Sequence, residues 1–589
     1  MSSKSRNSQE HDAAWGALSI PALFPPREGD TDADGYLGQR SVDHPLVVYA
    51  PLPANAHEGQ LLELYCNNGL LPVAHTFVTS GDLPHGRLPL ILPARYINPD
   101  WIDPLVCRIN LTGESTAPLR LGVNLETPAN KDPDPAQPGH QGLVINLPLD
   151  VVISGVSEER AREHIEVLLQ PYRHMAAHDC IRLCWGDQQI LYWVEPGREG
   201  LPVMLQVPYA TIMKGQDSKA LLVTVQARGF TGNLMDASAR WSAPSYVKVY
   251  VHSNKLVPPT IEQMDPATAE IELEHLADDD VLAYVFAASN FFEVNDKIHF
   301  SWHTTDAQGR AISYSEMRLV NRVGQTYYFT LPNSEARTLG QGHLTASYRL
   351  EKRDGVLNSP ASCATVQGPI TQWPAAKIQN ALKEGRLDLD GADLKVTMPY
   401  ASGWRAGTLV TLVLLRPDPN GAVEYRFSRS AGESRESGQL EFLVPVDELE
   451  RFKGGLAQLY YEAQEPPLLL GESRRLHLQV GPLEPPMNPP IVANVSGHKL
   501  DPDDVPDGIR VTLQDTPVAD NTWLHWVGPR ARIEIPVPNP GNGQLTVPAR
   551  FAKDNLGHTV SVYWTHREPG HRVRYSQVLT LLIAQRQSS

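Results

Sequence analysis

The chain has 589 residues, a formal net charge of -16 and 41% hydrophobic residues. At roughly 100–150 residues per domain, this length predicts several separate hydrophobic cores. The acidic balance argues against nucleic acid and anionic membranes as partners, because both attract basic surfaces. The 50 prolines and 43 glycines are dispersed along the chain, which predicts many short strands joined by turns.

The amino-terminal segment and the cysteines bear on the compartment. Residues 1–14 are polar, and no later stretch reaches the roughly 18 apolar residues of a membrane span. We therefore expect a soluble protein without membrane insertion, cytoplasmic by default or exported by a route that needs no signal peptide. Five cysteines are too few for one bridge in every domain, which favours a reducing compartment.

An aspartate followed six positions later by a tryptophan occurs three times, with apolar or small residues alternating between them. Alternation with period two is typical of a strand that buries one face. Two further stretches share this register but carry a smaller residue in place of the tryptophan. The five stretches are Asp179 to Trp185, Asp296 to Trp302, Asp520 to Trp526, Leu62 to Cys66 and Val410 to Leu414.

A second repeated strand closes on an apolar residue followed by proline. These prolines recur at intervals of roughly 100–125 residues, which is the length of a domain and exceeds that of a solenoid repeat. After each proline, a short segment that suits a helical turn leads into further strands. The five pairs are Leu92-Pro93, Val207-Pro208, Leu331-Pro332, Val444-Pro445 and Val547-Pro548.

Short strands separated by turn signals, without strong amphipathic helices, predict an all-β chain of about five antiparallel β-sandwiches. Clusters of turn residues mark the boundaries. Proline-rich connections are semi-rigid spacers, so we expect an extended array whose cores act largely separately. The predicted segments are a polar tail over 1–14, then sandwiches over 15–137 with a proline-rich linker, 138–256, 257–369, 370–482 and 483–589.

The inward tryptophan, the domain-sized period and the order of strand, proline, turn and strand resemble bacterial immunoglobulin-like tandem repeats, as in large adhesin and surface proteins. The resemblance covers nearly the whole chain and concerns the scaffold. It implies immunoglobulin-like sandwiches and a role in adhesion, spacing or display through loops at domain ends. The chain departs from those families in showing no signal peptide and no glycine-rich calcium nonapeptides.

The sharpest local motif is the run from Asp30 to Gly35, in which alternating carboxylates and a glycine at the sixth place match the start of a calcium loop. The twelfth place holds Ser41, where such a loop uses a bidentate glutamate. A solvated acidic turn is the favoured interpretation. Weak calcium binding by Asp30, Asp32 and Asp34 is the alternative, and no other cofactor is predicted.

Two pairs of cysteines are candidates for a metal site and for a disulfide bridge. Cys180 and Cys184 have two histidines nearby, but the strand register turns both cysteines away from the core and separates them by roughly 13 Å. That distance excludes a shared zinc ion. Cys66 and Cys107 lie on strands that could face each other, so a bridge is conceivable, although buried thiols are the simpler interpretation.

A basic group surrounds the turn before the last strand. Loops at the ends of sandwiches commonly carry binding residues, so this group could receive an anionic ligand. A solvated hairpin tip is the favoured interpretation, because charge runs are commonly solvated faces. Its members are His566, Arg567, His571, Arg572 and Arg574.

The sequence shows no signature of nucleophilic, phosphate-binding or zinc-dependent catalysis. We therefore predict a non-catalytic scaffold or binding protein of the adhesion or display type, which contacts a protein or glycan partner through loops at domain ends. The first alternative is a carbohydrate-active enzyme or its accessory sandwich region, which requires two carboxylates about 5–10 Å apart. The second alternative is a structural component of a toxin or secretion assembly.

Overall fold

The computed structural model consists of short strands arranged as five immunoglobulin-like β-sandwiches, which confirms the predicted all-β fold class. The predicted polar tail over 1–14 lies outside the described residues. The structure describes residues 15–26, 30–110, 112–252, 256–370, 372–379, 382–383, 385–389, 391–399, 404–434, 439–465, 468–483, 487–514, 521–538, 543–567 and 573–586.

Sandwiches 1 and 2 contain the following elements. Sandwich 1 comprises β1 (Gly35–Leu37), α1 (Arg40–Asp43), β2 (Leu46–Pro51), β3 (Leu61–Cys66), β4 (Ala74–Phe77), β5 (Arg87–Leu92), β6 (Asp100–Ile109) and β7 (Leu119–Val123). Sandwich 2 comprises β8 (Ile145–Asn146), α2 (Leu149–Ser154), β9 (Val156–Ser157), α3 (Glu158–Ala161), β10 (Ile165–Leu169), β11 (Cys180–Trp185), β12 (Gln188–Trp193), β13 (Val203–Val207), α4 (Tyr209–Lys214), β14 (Ser218–Arg228) and β15 (Ser245–Tyr250).

Sandwiches 3 and 4 repeat this arrangement with additional hairpin strands. Sandwich 3 comprises β16 (Thr260–Ile261), β17 (Glu270–Glu272), α5 (Leu273–Leu276), β18 (Val281–Phe286), β19 (Lys297–Thr305), β20 (Ala311–Leu319), β21 (Thr326–Leu331), α6 (Asn333–Ala336), β22 (His343–Lys352), β23 (Gly355–Asn358) and β24 (Ser362–Gln367). Sandwich 4 comprises β25 (Lys377–Ile378), β26 (Leu382–Lys383), β27 (Arg386–Leu387), β28 (Leu394–Pro399), β29 (Leu409–Arg416), β30 (Val423–Ser430), β31 (Gln439–Val444), α7 (Val446–Glu450), β32 (Gly455–Glu465), β33 (Leu468–Glu472) and β34 (Leu476–Val480).

Sandwich 5 closes the series with the same order of elements. It comprises β35 (Ile491–Val492), β36 (Val495–Ser496), β37 (Lys499–Leu500), β38 (Ile509–Thr512), β39 (Thr522–Val527), β40 (Arg532–Pro536), β41 (Gln544–Val547), α8 (Arg550–Lys553), β42 (Thr559–Arg567), β43 (Val573–Tyr575) and β44 (Leu579–Ile583).

All five sandwiches follow one plan of two sheets. The smaller sheet pairs the strand upstream of the tryptophan strand with the strand that precedes the repeated proline, as in β10 with β13. In the larger sheet the tryptophan strand lies between its hairpin partner and the long strand after the helical turn, as in β12-β11-β14. A short early strand also pairs in parallel with the last strand of every sandwich, which the antiparallel prediction did not include.

The predicted inward face of the tryptophan strands is confirmed. Trp185 and Trp526 are fully buried, and Trp302 is 3% exposed. In sandwich 3, Trp302 meets Phe300 edge-on at 5.2 Å, and Phe300 stacks on Phe329 of the smaller sheet at 4.3 Å. These rings join the two sheets of the sandwich, and pairs of this kind add to the stability gained from burial itself.

The repeated aspartate closes the turn that leads into the tryptophan strand. The buried Asp179 carboxylate accepts a hydrogen bond from the Ala176 backbone amide at 3.0 Å. Asp296 accepts the Glu293 amide at 2.9 Å across the same spacing of three residues, whereas Asp520 lies outside the described residues. The carboxylate satisfies a backbone donor that would cost free energy if it were buried without a partner.

The repeated proline ends a strand of the smaller sheet and leads into a helical turn, as predicted. Proline has no N–H to donate to the strand ladder, and its fixed φ suits the start of a helical turn. The turns are residues 94–96, in 3-10 form, and helices α4, α6, α7 and α8.

The sandwiches group into two compact units. Unit 1 comprises Met1–Asn124, Ala375–Tyr400 and Ala406–Ser589, and so holds sandwiches 1, 4 and 5. Unit 2 comprises Leu125–Pro374 with Ala401–Arg405, and so holds sandwiches 2 and 3. The predicted proline-rich linker, which runs from Glu126 to Gly142, lies within unit 2, and its His140 side chain is fully buried. The expectation of an extended array is wrong for unit 1, because its sandwich 1 packs on sandwiches 4 and 5.

Sandwich 1 contacts sandwich 4 through an apolar cluster. Ile91 of sandwich 1 packs with Val413, Leu415, Ala422 and Tyr460 of sandwich 4, and all five side chains are buried. Apart from Ala422, which lies in the turn before β30, these residues lie on the outer faces of their sheets, which in an isolated sandwich would meet water. Covering them removes apolar surface from water and therefore favours the contact.

Ion pairs accompany this apolar cluster. The Arg451 guanidinium contacts the carboxylates of Asp82 in sandwich 1 and Glu448 in sandwich 4. Arg40 of sandwich 1 lies 2.5 Å from the Glu472 carboxylate of sandwich 4. Burial alone would raise the pKa of Glu472, but the nearby Arg40 and Arg475 outweigh burial, and the pKa is lowered. The Glu472 carboxylate is therefore ionised at neutral pH.

Sandwich 1 contacts sandwich 5 through aromatic rings. The Phe77 ring stacks on Tyr575 at 4.2 Å and meets Tyr563 edge-on at 5.0 Å. Leu61 and Val527 complete this cluster, and both are buried. In unit 2, a smaller cluster of Leu222, Ala361 and Cys363 joins sandwiches 2 and 3.

None of the helices in the described part of the chain combines the length and the apolar character that crossing a membrane requires.

Replacing Arg451 with alanine should lower the free energy of unfolding by about 3 kcal/mol or more, because the Asp82 carboxylate would stay largely buried without its cation. The Asp82 side chain is 8% exposed. Arg386→Ala is the matched control, since Arg386 and Asp388 form an ion pair with side chains 45% and 56% exposed. The control should cost about 0–1 kcal/mol. Urea denaturation of the full chain measures the loss of unfolding free energy in both variants. Equal losses would contradict the expectation that Arg451 stabilises the contact between sandwiches 1 and 4 more than an exposed ion pair does.

Candidate functional site

Four loops at the ends of sandwiches 1 and 5, with the strands beside them, line a half-open cavity of about 420 Å³. They connect β3 with β4, β6 with β7, β39 with β40, and α8 with β42. We name it the Glu63 cavity after the charged side chain buried in its wall. Small-molecule sites commonly measure about 300–1,000 Å³, so this volume suits a ligand. Its polar lining residues are Glu63, Tyr65, Asn68, Arg108, Asn110, Ser115, His558 and Thr559.

Glu63 reaches the cavity because strand β3 is buried on both faces. All six residues of Leu61–Cys66 are buried. With period two, Leu62 and Leu64 face the core of sandwich 1, whereas Leu61, Glu63 and Tyr65 face sandwich 5. The outer face of the sheet therefore carries one carboxylate into a largely apolar contact between two sandwiches.

Hydrogen bonds surround the Glu63 carboxylate. The Ser561 hydroxyl donates to one oxygen at 2.6 Å, and the Tyr65 hydroxyl donates to the other at 3.0 Å. The Asn110 amide donates in turn to the Ser561 hydroxyl oxygen at 2.7 Å. Burial raises the pKa of Glu63 and outweighs the opposing effect of these hydrogen bonds. The site holds Glu63 rigidly and favours its protonated form.

Two polar groups of the wall retain hydrogen-bonding capacity. The Asn110 side-chain oxygen is buried and accepts no hydrogen bond. The Arg108 guanidinium lies over the Tyr65 ring, 4.6 Å from its centroid, and forms no ion pair with any carboxylate among the described residues. Buried polar atoms without partners are rare and call for an explanation, such as a bound molecule. The wall thus offers an acceptor and a cation to a polar ligand.

The mouth of the cavity is held by a contact between the two sandwiches. The Thr559 hydroxyl of sandwich 5 donates to the Leu70 carbonyl oxygen of sandwich 1 at 2.5 Å. Asn68, in the same loop as Leu70, has a φ of 55°, in the left-handed region that asparagine adopts more readily than most residues. This geometry directs the loop between β3 and β4 toward sandwich 5.

The predicted acidic motif forms an edge of sandwich 1. The Asp30 carboxylate accepts the Asp32 backbone amide at 2.9 Å and the Tyr36 hydroxyl. The Asp34 carboxylate accepts the Arg120 backbone amide at 2.7 Å, beside the parallel pairing of β1 with β7. Within the described ranges, no group of three or more acidic, histidine or cysteine side chains is arranged to hold a metal ion. Calcium binding by Asp30, Asp32 and Asp34 remains a prediction.

The predicted basic group is only partly described. The His566 side chain is 3% exposed, and its Nδ1 lies 2.9 Å from the Thr522 hydroxyl, so it belongs to the sandwich interior. Arg567 ends β42 with an exposed side chain, and Arg574 lies on the neighbouring strand β43. His571 and Arg572 lie outside the described residues. Binding of an anionic ligand by these arginines remains a prediction.

All five cysteines are free thiols. Cys66 and Cys107 lie on the paired strands β3 and β6, opposite Leu105 and Leu64, and both are buried as expected. Burial raises the pKa of the Cys66 thiol to about 11 and also raises that of Cys107. Cys184 turns away from the core of sandwich 2, as predicted, but is itself fully buried. These thiols are largely protonated at neutral pH and therefore poorly reactive.

Comparisons with known proteins add no family assignment, because neither a protein-family model nor a curated protein matches the chain. Among solved structures, it is similar to a calcium-stabilised, ice-binding adhesin of an Antarctic bacterium, with 11% identity over 76% of this chain and 100% of that one and a TM-score of 0.15. A 1.5-MDa bacterial ice-binding adhesin is 12% identical over 59% of this chain and 100% of that one, with a TM-score of 0.13. The FN1–FN3 domains of chicken CNTN1 are 10% identical to this chain. The match covers 56% of this chain and 99% of that one, with a TM-score of 0.15. TM-scores this far below 0.5 carry no argument about function.

Replacing Glu63 with glutamine should change how stability depends on pH. The folded-state pKa of Glu63 is raised above its ordinary value of 4.5. Its stabilising contribution is therefore complete below that value and is lost as the pH rises through the folded pKa. Glutamine cannot ionise, so the variant should gain stability relative to the native protein as the pH increases from 4 to 8.

Urea denaturation at several pH values measures this difference between the native protein and Glu63→Gln. The exposed Glu114→Gln, in the same sandwich, is the control and should show a nearly constant difference. A constant difference for Glu63→Gln as well would contradict the raised pKa.

Proposed function

We propose that the chain is a non-catalytic, multidomain binding protein of the adhesion or display type, and that it holds a glycan in the Glu63 cavity. The observation that carries this proposal is the cavity itself, because strand ends and loops at the ends of two sandwiches together supply its polar wall. Such loops vary freely on a rigid scaffold and commonly carry binding residues. The other sandwiches would then serve as scaffold and spacer.

The chemistry of the wall favours a glycan over a flat protein surface. A sugar presents hydroxyl groups that both donate and accept hydrogen bonds, and the wall contains side chains of both kinds. Arg108 and Asn68 supply donors, and the unpartnered Asn110 oxygen supplies an acceptor. A half-open pocket of about 420 Å³ suits a small polar ligand, whereas protein partners usually meet broader surfaces.

The competing enzyme hypothesis needs a different arrangement of carboxylates. Glycoside hydrolysis generally uses two carboxylates about 5–10 Å apart. Among the residues that line the Glu63 cavity, Glu63 is the sole carboxylate, and its two oxygens already accept hydrogen bonds. The cavity is therefore better suited to binding than to hydrolysis.

A glycan array with the full-length protein tests the proposal, followed by calorimetric titration of the strongest ligand. Arg108→Ala should weaken binding at least tenfold, because it removes the unpaired cation of the wall. Asn68→Gly should also weaken it, since glycine tolerates the left-handed backbone while losing the amide. Arg95→Ala is the matched control, because Arg95 also stacks on a tyrosine of sandwich 1 but does not line the cavity.

Unchanged affinity in both cavity variants would place the ligand elsewhere and refute the role of the Glu63 cavity. Binding of no glycan at all would refute the glycan class. Release of shortened sugar products from a bound glycan would instead support the carbohydrate-active alternative.

A further inference from the structure

A second cavity lies between sandwiches 2 and 3, within unit 2. Its volume is about 60 Å³, several times the roughly 10–15 Å³ that one water needs. The segment from Ser238 to Ser242 forms one wall, and residues 341–343 and 365–367 of sandwich 3 form another. We name it the Arg240 cavity after its one lining residue with a permanent charge.

Several polar atoms in this wall have no partner. The Nε of Arg240 and the Nε1 of Trp241 are buried and donate no hydrogen bond to any described residue. The Nε2 of His343 is likewise buried without a partner. The Trp241 and His343 side chains are 6% and 3% exposed, and their rings meet edge-on at 5.0 Å. The hydroxyl oxygen of Thr365, which also lines the cavity, is buried without a partner as well. Four such atoms on residues that line one small cavity indicate a polar occupant.

The charge of the wall indicates the sign of that occupant. Among the residues that line the cavity there is no aspartate or glutamate. Asp236 acts on Arg240 through space but forms no ion pair with it, and its oxygens accept the backbone amides of Asp132 and Ser238. The Nη1 of Arg240 donates to the Met235 carbonyl oxygen, but no carboxylate pairs with the guanidinium charge. Charges taken out of water are generally paired, because leaving them uncompensated is costly.

The donors of the wall suit an anion better than a cation. Arg240 and Trp241 carry only N–H groups, which donate and cannot accept. Burial lowers the pKa of His343 to about 4, so the ring is neutral at pH 7 and its tautomer with a proton on Nε2 can donate as well. A metal cation would face these donors and the fixed positive charge of Arg240, which both disfavour it.

We propose that the Arg240 cavity binds a small monovalent anion of the size of chloride or formate. The anion accepts hydrogen bonds from Arg240 and Trp241, and it compensates the guanidinium charge between sandwiches 2 and 3. Because both sandwiches supply lining residues, occupancy stabilises their contact. This site is independent of the Glu63 cavity and of the proposed glycan binding.

Thermal unfolding of the full chain at constant ionic strength tests the proposal, because constant ionic strength removes general screening effects. Chloride, bromide and formate should each raise the Tm relative to gluconate, which is too large to enter, and the rise should saturate with concentration. Arg240→Gln and Trp241→Phe should each lose at least half of this rise. The exposed Arg198→Gln, also in sandwich 2, should retain it.

Equal anion effects in the native protein and both cavity variants would overturn the proposal, as would no difference between chloride and gluconate. Ordered water as the occupant would produce that second result. Crystals of the native protein soaked in bromide provide a test that needs no variant. An anomalous peak beside Arg240 Nε and Trp241 Nε1 would support the site, and its absence at saturating bromide would overturn it.

Discussion

Strand β3 buries both of its faces, and the arrangement of unit 1 depends on that burial. Leu62 and Leu64 pack inside sandwich 1, while Leu61 faces outward and is covered by sandwich 5. Leaving one large apolar side chain exposed would cost about 1.5–3 kcal/mol, so an isolated sandwich 1 would carry a substantial penalty on this face. Ile91 lies on the outer face of the other sheet and would likewise be exposed in an isolated sandwich, but sandwich 4 covers it. Sandwich 1 is therefore a central element of unit 1, although it comes first in the sequence.

The polar contacts around these apolar clusters select the register in which the sheets of neighbouring sandwiches pack. Removing an apolar surface from water is non-directional and does not by itself select one register between two sheets. The Tyr49 hydroxyl donates to the Glu424 carboxylate across the boundary between sandwiches 1 and 4, and Arg426 pairs with the same carboxylate at 3.2 Å. Groups of this kind are costly to bury unless they meet their partners, so wrong registers are penalised.

The two cavities occur where apolar packing between sandwiches gives way to polar side chains. In the Glu63 cavity the wall offers donors together with an acceptor, so a ligand with hydroxyl groups can satisfy both kinds. In the Arg240 cavity the wall offers donors and a fixed positive charge without a carboxylate, so an anion fits. The difference in ligand follows from the charge and hydrogen-bonding capacity of a few side chains, since the surrounding sandwiches share one plan.

The residue pattern alone predicts the local plan of the sandwiches. The alternation that ends at Trp185, Trp302 and Trp526 predicted the inward faces, because a strand exposes successive side chains to opposite sides. The repeated proline predicted the strand ends and helical turns, because proline lacks the N–H of the ladder. Glu63 is a single charged residue within an almost wholly apolar strand. That pattern indicates a strand buried on both faces, but it does not specify which element covers the outer face. The cover of sandwich 1 by sandwiches 4 and 5, and the cavity lined by Glu63, Arg108 and Asn110, become visible in the folded structure alone. The contacts of sandwich 1 with sandwiches 4 and 5 join residues hundreds of positions apart through non-directional burial, and no local pattern encodes such pairings.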